Sequence, residues 1–181
     1  MIVHELTEEE REQIIDKYFK MINIERKHLS KDELEKEIID YLKKKHPCSL
    51  ATCGKEGVPR ISVLDYINDY LTIYIISEEG EKFKNIRENN QVAIGIGTSA
   101  RTARSVRGVN IWGIAEIFTD DTLEFAYAIK LFDPIIKSME IEMGGPVEIP
   151  KGLLRVIRVT PTKMVYHHND KGIKNAYLVA D

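Results

Sequence analysis

The sequence changes its hydrophobic period at Pro47, and no other feature limits the open folds so sharply. Ahead of it lie two helices. Thr7 with Glu10, and Ser30 with Glu33, have the spacing of a capping box, in which a hydroxyl and a glutamate satisfy the first amides of a helix. Each box precedes a helical apolar stripe: Ile14, Ile15, Tyr18 and Ile22, then Leu34, Ile38, Tyr41 and Leu42. Pro47 cannot continue the second helix. Beyond it β-branched and apolar residues come in short runs punctuated by turn residues. Strands are expected at 48–53, 60–66 and 71–77, with GKEGVP (54–59) and INDY (67–70) as hairpin turns. The short helix EKFKNIRENN follows, then strands at 92–96 and 109–118. Asp121 with Glu124 opens a further helix bearing Leu123, Tyr127 and Leu131 until Pro134 disturbs it. GGPVEIPKG is loop, and strands at 153–159 and 163–168 pair after it. The pattern predicts a mainly β fold with added helices, built as a six- to seven-stranded antiparallel barrel. Residues 1–46 form an N-terminal helical pair and 47–181 the barrel with helical insertions, all within one domain of 1–181.

Composition removes several functions. The 26 Lys and Arg are interspersed with 29 Asp and Glu for a net charge of -3, so no nucleic-acid or membrane surface is expected. No apolar run approaches the ~20 residues of a membrane-spanning helix. MIVHELTEEE lacks the basic-then-apolar order of a signal peptide, so a cytoplasmic protein is expected. Cys48 and Cys53 face opposite sides of one strand and are expected to share neither a disulfide nor a metal.

Two stretches between Ser77 and Ala100 offer to hold a phosphate. GIGTSA follows an apolar strand with the GxGxxA pattern of a dinucleotide-binding turn, and Glu116 lies about 20 residues on, where a ribose-binding acid belongs. That turn must open a helix able to cover a parallel sheet, and TSARTARSVRG offers only Ala100, Ala103 and Val106 as an apolar face. A basic connection between strands is the better reading. SEEGEK instead places Ser77, Glu81 and Lys82 at the start of a helix, whose first amides and positive dipole end favour an anion. A hairpin of strands 60–66 and 71–77 would bring Arg60 to the same end. On chemistry alone, two ordinary surface cations account for Arg60 and Lys82 equally well.

GVPRISVLDY, then LTIYIISEEGEKFKNIRENNQVAIGI, then VNIWGIAEIF resemble the FMN-binding split β-barrel family related to pyridoxamine 5'-phosphate oxidase. The similarity spans roughly residues 46–118 and continues through RVIRVTPTKMVYH. It rests on order: a G-x-P turn, an Arg-led strand, an apolar strand ending in Ser, a Lys before a short helix, then a strand carrying G-x-A. The resemblance implies a split barrel, FMN as cofactor, and a homodimer with the flavin cleft between subunits. It further implies an oxidoreductase that passes electrons or hydride between FMN and a small-molecule substrate or electron donor. Arg60 and Lys82 would hold the phosphate, with Glu81 beside them and Ile61, Ser62, Val63, Ile76 and Ser77 along the ring system and ribityl chain. No catalytic acid or base is assigned. A deazaflavin- or haem-binding member of the fold, and a non-catalytic flavin carrier or sensor, are the alternatives. Two departures argue against oxidation of vitamin B6 phosphate. Asp65 stands where those oxidases carry a substrate-binding lysine, and the C-terminal NAYLVAD lacks their Arg-rich signature.

The remaining candidates are weaker. His167 and His168, with His46 near Cys48, lack the spacing of a metal-ligand set and read as strand-end histidines, so no metal is expected. Arg101, Arg104 and Arg107 recur every three residues, either to present charge across a dimer interface or to solvate a loop. Trp112 reads as core or interface. The apolar strand faces exceed what one small barrel encloses, which also points to a two-fold dimer.

Overall fold

Both capping boxes form. Thr7 Oγ1 accepts from the Glu10 amide at 3.2 Å while Glu10 Oε2 accepts from the Thr7 amide at 2.7 Å, which starts α1 (Glu8–Met21). Ser30 and Glu33 do the same for α2 (Lys31–Leu42). The computed structural model describes residues 5–44, 47–98 and 100–180. Eight strands follow in one antiparallel sheet: β1 (Cys48–Cys53), β2 (Pro59–Leu64), β3 (Ile67–Asp69), β4 (Thr72–Glu78), β5 (Gln91–Gly97), β6 (Arg107–Phe118), β7 (Leu154–His168) and β8 (Ile173–Val179). Helix α3 (Glu81–Glu88) joins β4 to β5, and α4 (Leu123–Met143) joins β6 to β7.

The strand order is β2-β1-β5-β6-β7-β4-β3, with β8 also paired to β7. Its two outermost strands, β2 and β3, are consecutive in the chain and joined only by Asp65 and Tyr66. Such a link reaches at most about 11 Å, whereas the edges of a flat seven-strand path stand about 29 Å apart. The sheet therefore curls until its edges approach, as a half-barrel. Tyr66 fixes the corner: its ring is wholly buried and its hydroxyl donates to the Leu42 carbonyl at 2.7 Å, one of those that α2 leaves without an intrahelical donor.

The inner face packs Leu50, Ile73, Ile75, Ile94, Ile111 and Ile157 around one core. Helix α2 closes one end of it with Leu34, Ile38 and Leu42, and α3 the other with Phe83 and Ile86. The ends are opposite because Tyr66, just past β2, meets α2, while Thr52, paired with Arg60 at the start of β2, accepts from Asn85 of α3 at 3.2 Å. The outer face is covered on one half only. Ala128 and Phe132 of α4 pack on Tyr74 and Val156, with Ile67, Ile76 and Phe118 around them. On the other half Ile61, Val63 and Trp112 remain 68%, 66% and 43% exposed.

Several sequence expectations need correction. Strands 60–66 and 71–77 do not form a hairpin: β2 pairs with β1, and Ile67–Asp69 of the expected INDY turn is strand β3, paired with β4. The turn lies at Tyr70, in the left-handed region at φ 49°. Segments 153–159 and 163–168 are one strand. Pro161 sits opposite Gly113 beside a register shift, where a residue without an amide is tolerated. Strand β8 was not expected. Helix α4 starts from Thr122, whose hydroxyl accepts from the Phe125 amide at 3.2 Å, and it runs through Pro134. Asp121, expected as its cap, accepts from the Thr119 hydroxyl instead. Cys48 is buried, with its thiol pushed up to about 12, and both cysteines are free thiols.

Candidate functional site

The barrel is split where its two edges approach. β4 pairs with β7 along Ile73–Glu78 but with β3 only along Thr72–Tyr74, so beyond Tyr74 one edge of β4 has no strand partner among the described residues. The edge of β2 away from β1 is likewise open. Backbone amides and carbonyls of both strands are thus available to a ligand lying between them.

Alternation divides the predicted residues between two faces. Arg60 and Ser62 lie opposite Thr52 and Leu50 and share the inner face, while Ile61 and Val63 point outward. On β4, Ser77 shares the side of Ile73 and Ile75, whereas Ile76 points outward into the α4 contact. Asp65 is exposed on the link between the two edges.

Arg60 and Lys82 come within electrostatic reach, by a route other than the expected hairpin. Helix α3 docks on the β1–β2 turn: Asn85 bonds to Thr52, and Glu88 Oε2 accepts from the Lys55 amide at 3.0 Å. Gly54 permits that approach, since a Cβ there would lie 2.7 Å from Glu88 Oε2 and 2.9 Å from Asn85 Oδ1. Burial, and then the Arg60 guanidinium, hold the Lys82 ammonium below the ordinary lysine value, against a smaller pull from Glu79 and Glu78. Lys82 Nζ donates to the Glu78 carbonyl at 3.0 Å and stands 5.0 Å from the centre of the Phe83 ring. Both cations sit at the start of α3, where Gly80 adopts φ 158°, ψ -169°, a region essentially reserved to glycine. Among the described residues no side chain caps α3, whereas Thr7, Ser30 and Thr122 cap α1, α2 and α4. Two mutually repelling cations beside an uncapped helix start are costly for the protein alone, and a bound anion offsets that cost. Arg60, Glu81, Lys84, Asn85 and Glu88 line an adjoining cleft of about 530 Å³.

The glycine motif has no such setting. Gly95 and Gly97 end β5, which returns antiparallel into β6 with Gly97 opposite Gly108. Ser99 of the motif lies outside the described residues, and no helix occurs in 100–106. Of the arginines there, Arg104 ties the loop to the N-terminal helix. Arg104 donates to the Ile22 carbonyl at 2.5 Å, at the end of α1, while Tyr18 and Asn169 both donate to the Ala103 carbonyl. Arg107 donates to Thr98 Oγ1, and Glu116 pairs with Arg158 at 2.8 Å. His167 Nδ1 accepts from the Asn175 amide at 3.2 Å, and His168 Nδ1 is bonded to the Tyr166 hydroxyl at 2.9 Å; His46 lies outside the described residues.

Ala51, Ala93 and Trp112 are cross-strand neighbours, and the small side chains floor an apolar groove of about 510 Å³ on the bare outer face, walled by Trp112 and Pro59. Its only sequence signal is alanine and glycine on outward positions of β1 and β5.

Comparison with known proteins agrees with this architecture. A candidate pyridoxamine 5'-phosphate oxidase from Listeria innocua is similar over 74% of this chain and 98% of its own, with TM-score 0.57 and 20% identity. General stress protein 26 from Bacillus anthracis matches over 81% and 98%, with TM-score 0.57 and 16% identity. A haem storage protein from Vibrio cholerae matches over 81% and 94%, with TM-score 0.58 and 15% identity. Likenesses at such identity establish the fold alone. No curated protein matches the chain. The family profile described as pyridoxamine 5'-phosphate oxidase matches residues 34–168, from α2 to the end of β7, and the chain belongs to that family.

Proposed function

We propose that the chain is a flavoprotein that holds FMN in the split between β2 and β4 and serves as a flavin-dependent oxidoreductase. The observation that carries this is the cation pair Arg60 and Lys82 at the uncapped start of α3, at the mouth of a gap with open backbone edges on both sides. Arg60, Lys82 and the first amides of α3 would bind the phosphate, with Glu81 at the rim. The β2 backbone at Ile61, Ser62 and Val63 and the β4 backbone at Ile76 and Ser77 would line the ribityl chain and ring system. When bound, FMN supplies the electron-transfer chemistry, and the protein supplies position and electrostatics. A second copy of the chain covers the bare outer face around Ile61, Val63 and Trp112, which places the flavin at a two-fold interface.

Calorimetric titration tests the reading: the protein should bind FMN at micromolar concentration and take on flavin absorption bands. A haem spectrum, or no FMN binding at that concentration, would overturn it. Light scattering should give a dimer mass with FMN bound, and a monomer would remove the two-fold arrangement.

A further inference from the structure

We infer that Glu79 is a positioning residue for the phosphate end of this site, an inference that rests on the flavin reading above. Glu79 lies in the turn between β4 and α3, one residue before Gly80. Arg87, near the far end of α3, donates Nη1 to its Oε1 at 2.8 Å and Nη2 to its Oε2 at 2.9 Å, a two-pronged clasp. Arg155 Nε stands 3.7 Å from Oε2, and its Nη1 is fixed by the Gly152 and Leu154 carbonyls at 2.8 and 2.9 Å. Arg155 belongs to β7, directly opposite Ser77 of β4. One carboxylate thus ties both ends of α3 to the neighbouring strand.

The clasp does two things for a phosphate. It fixes a turn that passes through a permissive glycine conformation and lacks a capping side chain, so the Glu81 and Lys82 amides that open α3 stay aimed, while the Phe83 amide turns back to the Gly80 carbonyl at 3.0 Å. It also neutralises one of the three carboxylates, Glu78, Glu79 and Glu81, that flank Lys82. A freed Glu79 would face the phosphate with like charge. Arg87 and Glu79 therefore act through Lys82 and the helix start.

The experiment compares FMN with riboflavin, which lacks the phosphate. Arg87→Met should weaken FMN about tenfold, the scale of one charge-assisted hydrogen bond, and leave riboflavin unchanged. Adding Glu79→Gln to Arg87→Met should recover part of the loss, because the unpaired charge is gone. A purely structural clasp predicts equal losses for both ligands and no recovery. That result, or an unchanged ratio of the two affinities, overturns the inference while wild-type FMN binding still stands. Wild-type protein that binds no FMN removes the flavin reading and this inference with it.

Discussion

Replacing Lys82 with methionine should lower FMN affinity and raise the stability of the ligand-free protein. The two effects share one cause. Methionine keeps a stem of similar length over the Phe83 ring and removes the ammonium that Arg60 repels. A flavin phosphate carries about -1.5 to -2 charges near neutrality, and one charge-assisted hydrogen bond to it is worth about 1.5–3 kcal/mol. Loss of Lys82 should thus weaken FMN by about ten- to 150-fold at 25 °C and leave riboflavin nearly untouched. The effect should shrink at high salt, since Lys82 is only half-buried. Without ligand the sign reverses. Folding holds Lys82 below the ordinary lysine value of 10.5, so between its folded value and 10.5 the unfolded chain binds more protons. Stability therefore rises with pH through that window, and below it the penalty is fully present. Lys82→Met should lack this rise. The assay is titration of both flavins by fluorescence quenching, paired with urea unfolding of the ligand-free protein across pH 7.5–10.5. Equal loss of the two flavins, or a variant less stable than wild type with the alkaline rise intact, would refute the placement of Lys82 at the phosphate.

Tyr66→Phe removes the donor to the Leu42 carbonyl and leaves a buried acceptor unmet, so urea unfolding should show a loss of about 1–3 kcal/mol. A loss under about 0.5 kcal/mol would mean that water replaces the bond. The His168 imidazole is held below its usual 6.5 by burial and then by Lys171 and Arg107, so the folded state stays neutral where the unfolded chain is protonated. Its contribution is present above 6.5 and lost as pH falls through the folded value; thermal midpoints should drop on acidification below pH 6.5, less steeply in His168→Gln. On the flavin reading, Asp65, exposed between the two open edges, would repel a phosphorylated substrate, so oxidation of pyridoxamine 5'-phosphate should be negligible under conditions where added FMN still cycles chemically. Turnover on the order of 1 per second would place the substrate phosphate elsewhere.

The legible parts of this chain were those fixed by near neighbours in sequence. Thr7 with Glu10 and Ser30 with Glu33 cap the helices they were expected to cap, because a capping box closes within four residues. Helix α3 and the outlines of β1 and β5 were likewise readable from local period and turn chemistry. Strand partnership was not. Alternation at 60–66 says that a strand exists and which side faces inward, yet nothing in those residues distinguishes β1 from β4 as partner. The turn chemistry of INDY is real but displaced, since Asn68 bonds to the Tyr70 carbonyl at 2.7 Å and the reversal follows β3. Pro161 read as a break because its accommodation depends on Gly113, 48 residues earlier and opposite a bulge. Within the site, Arg60 and Lys82 were legible as chemistry, but Glu79, Arg87 and Arg155 were not, because they meet across two elements and a strand pairing.

Position of fold and site follow from one corner. The Asp65–Tyr66 link forces the sheet to curl, and the same link moves the chain from β2 to β3 without pairing β2 with β4. A fully closed barrel would satisfy every backbone group and leave no edge. Here the short β3 ends its pairing at Tyr74, and among the described residues the rest of the β4 edge stays open opposite β2. Open edges bearing exposed Ile61 and Val63 are an aggregation hazard unless something covers them. A planar ligand in the split can bond to the edges, and a second copy can bury the isoleucine and valine. Filling the gap from within, by inserting residues between Asp65 and Tyr66 so that a longer β3 pairs along Ile75–Glu78, should therefore abolish flavin binding while raising thermal stability. A lengthened β3 that retains FMN would show that the flavin lies outside the split, on the groove floored by Ala51 and Ala93.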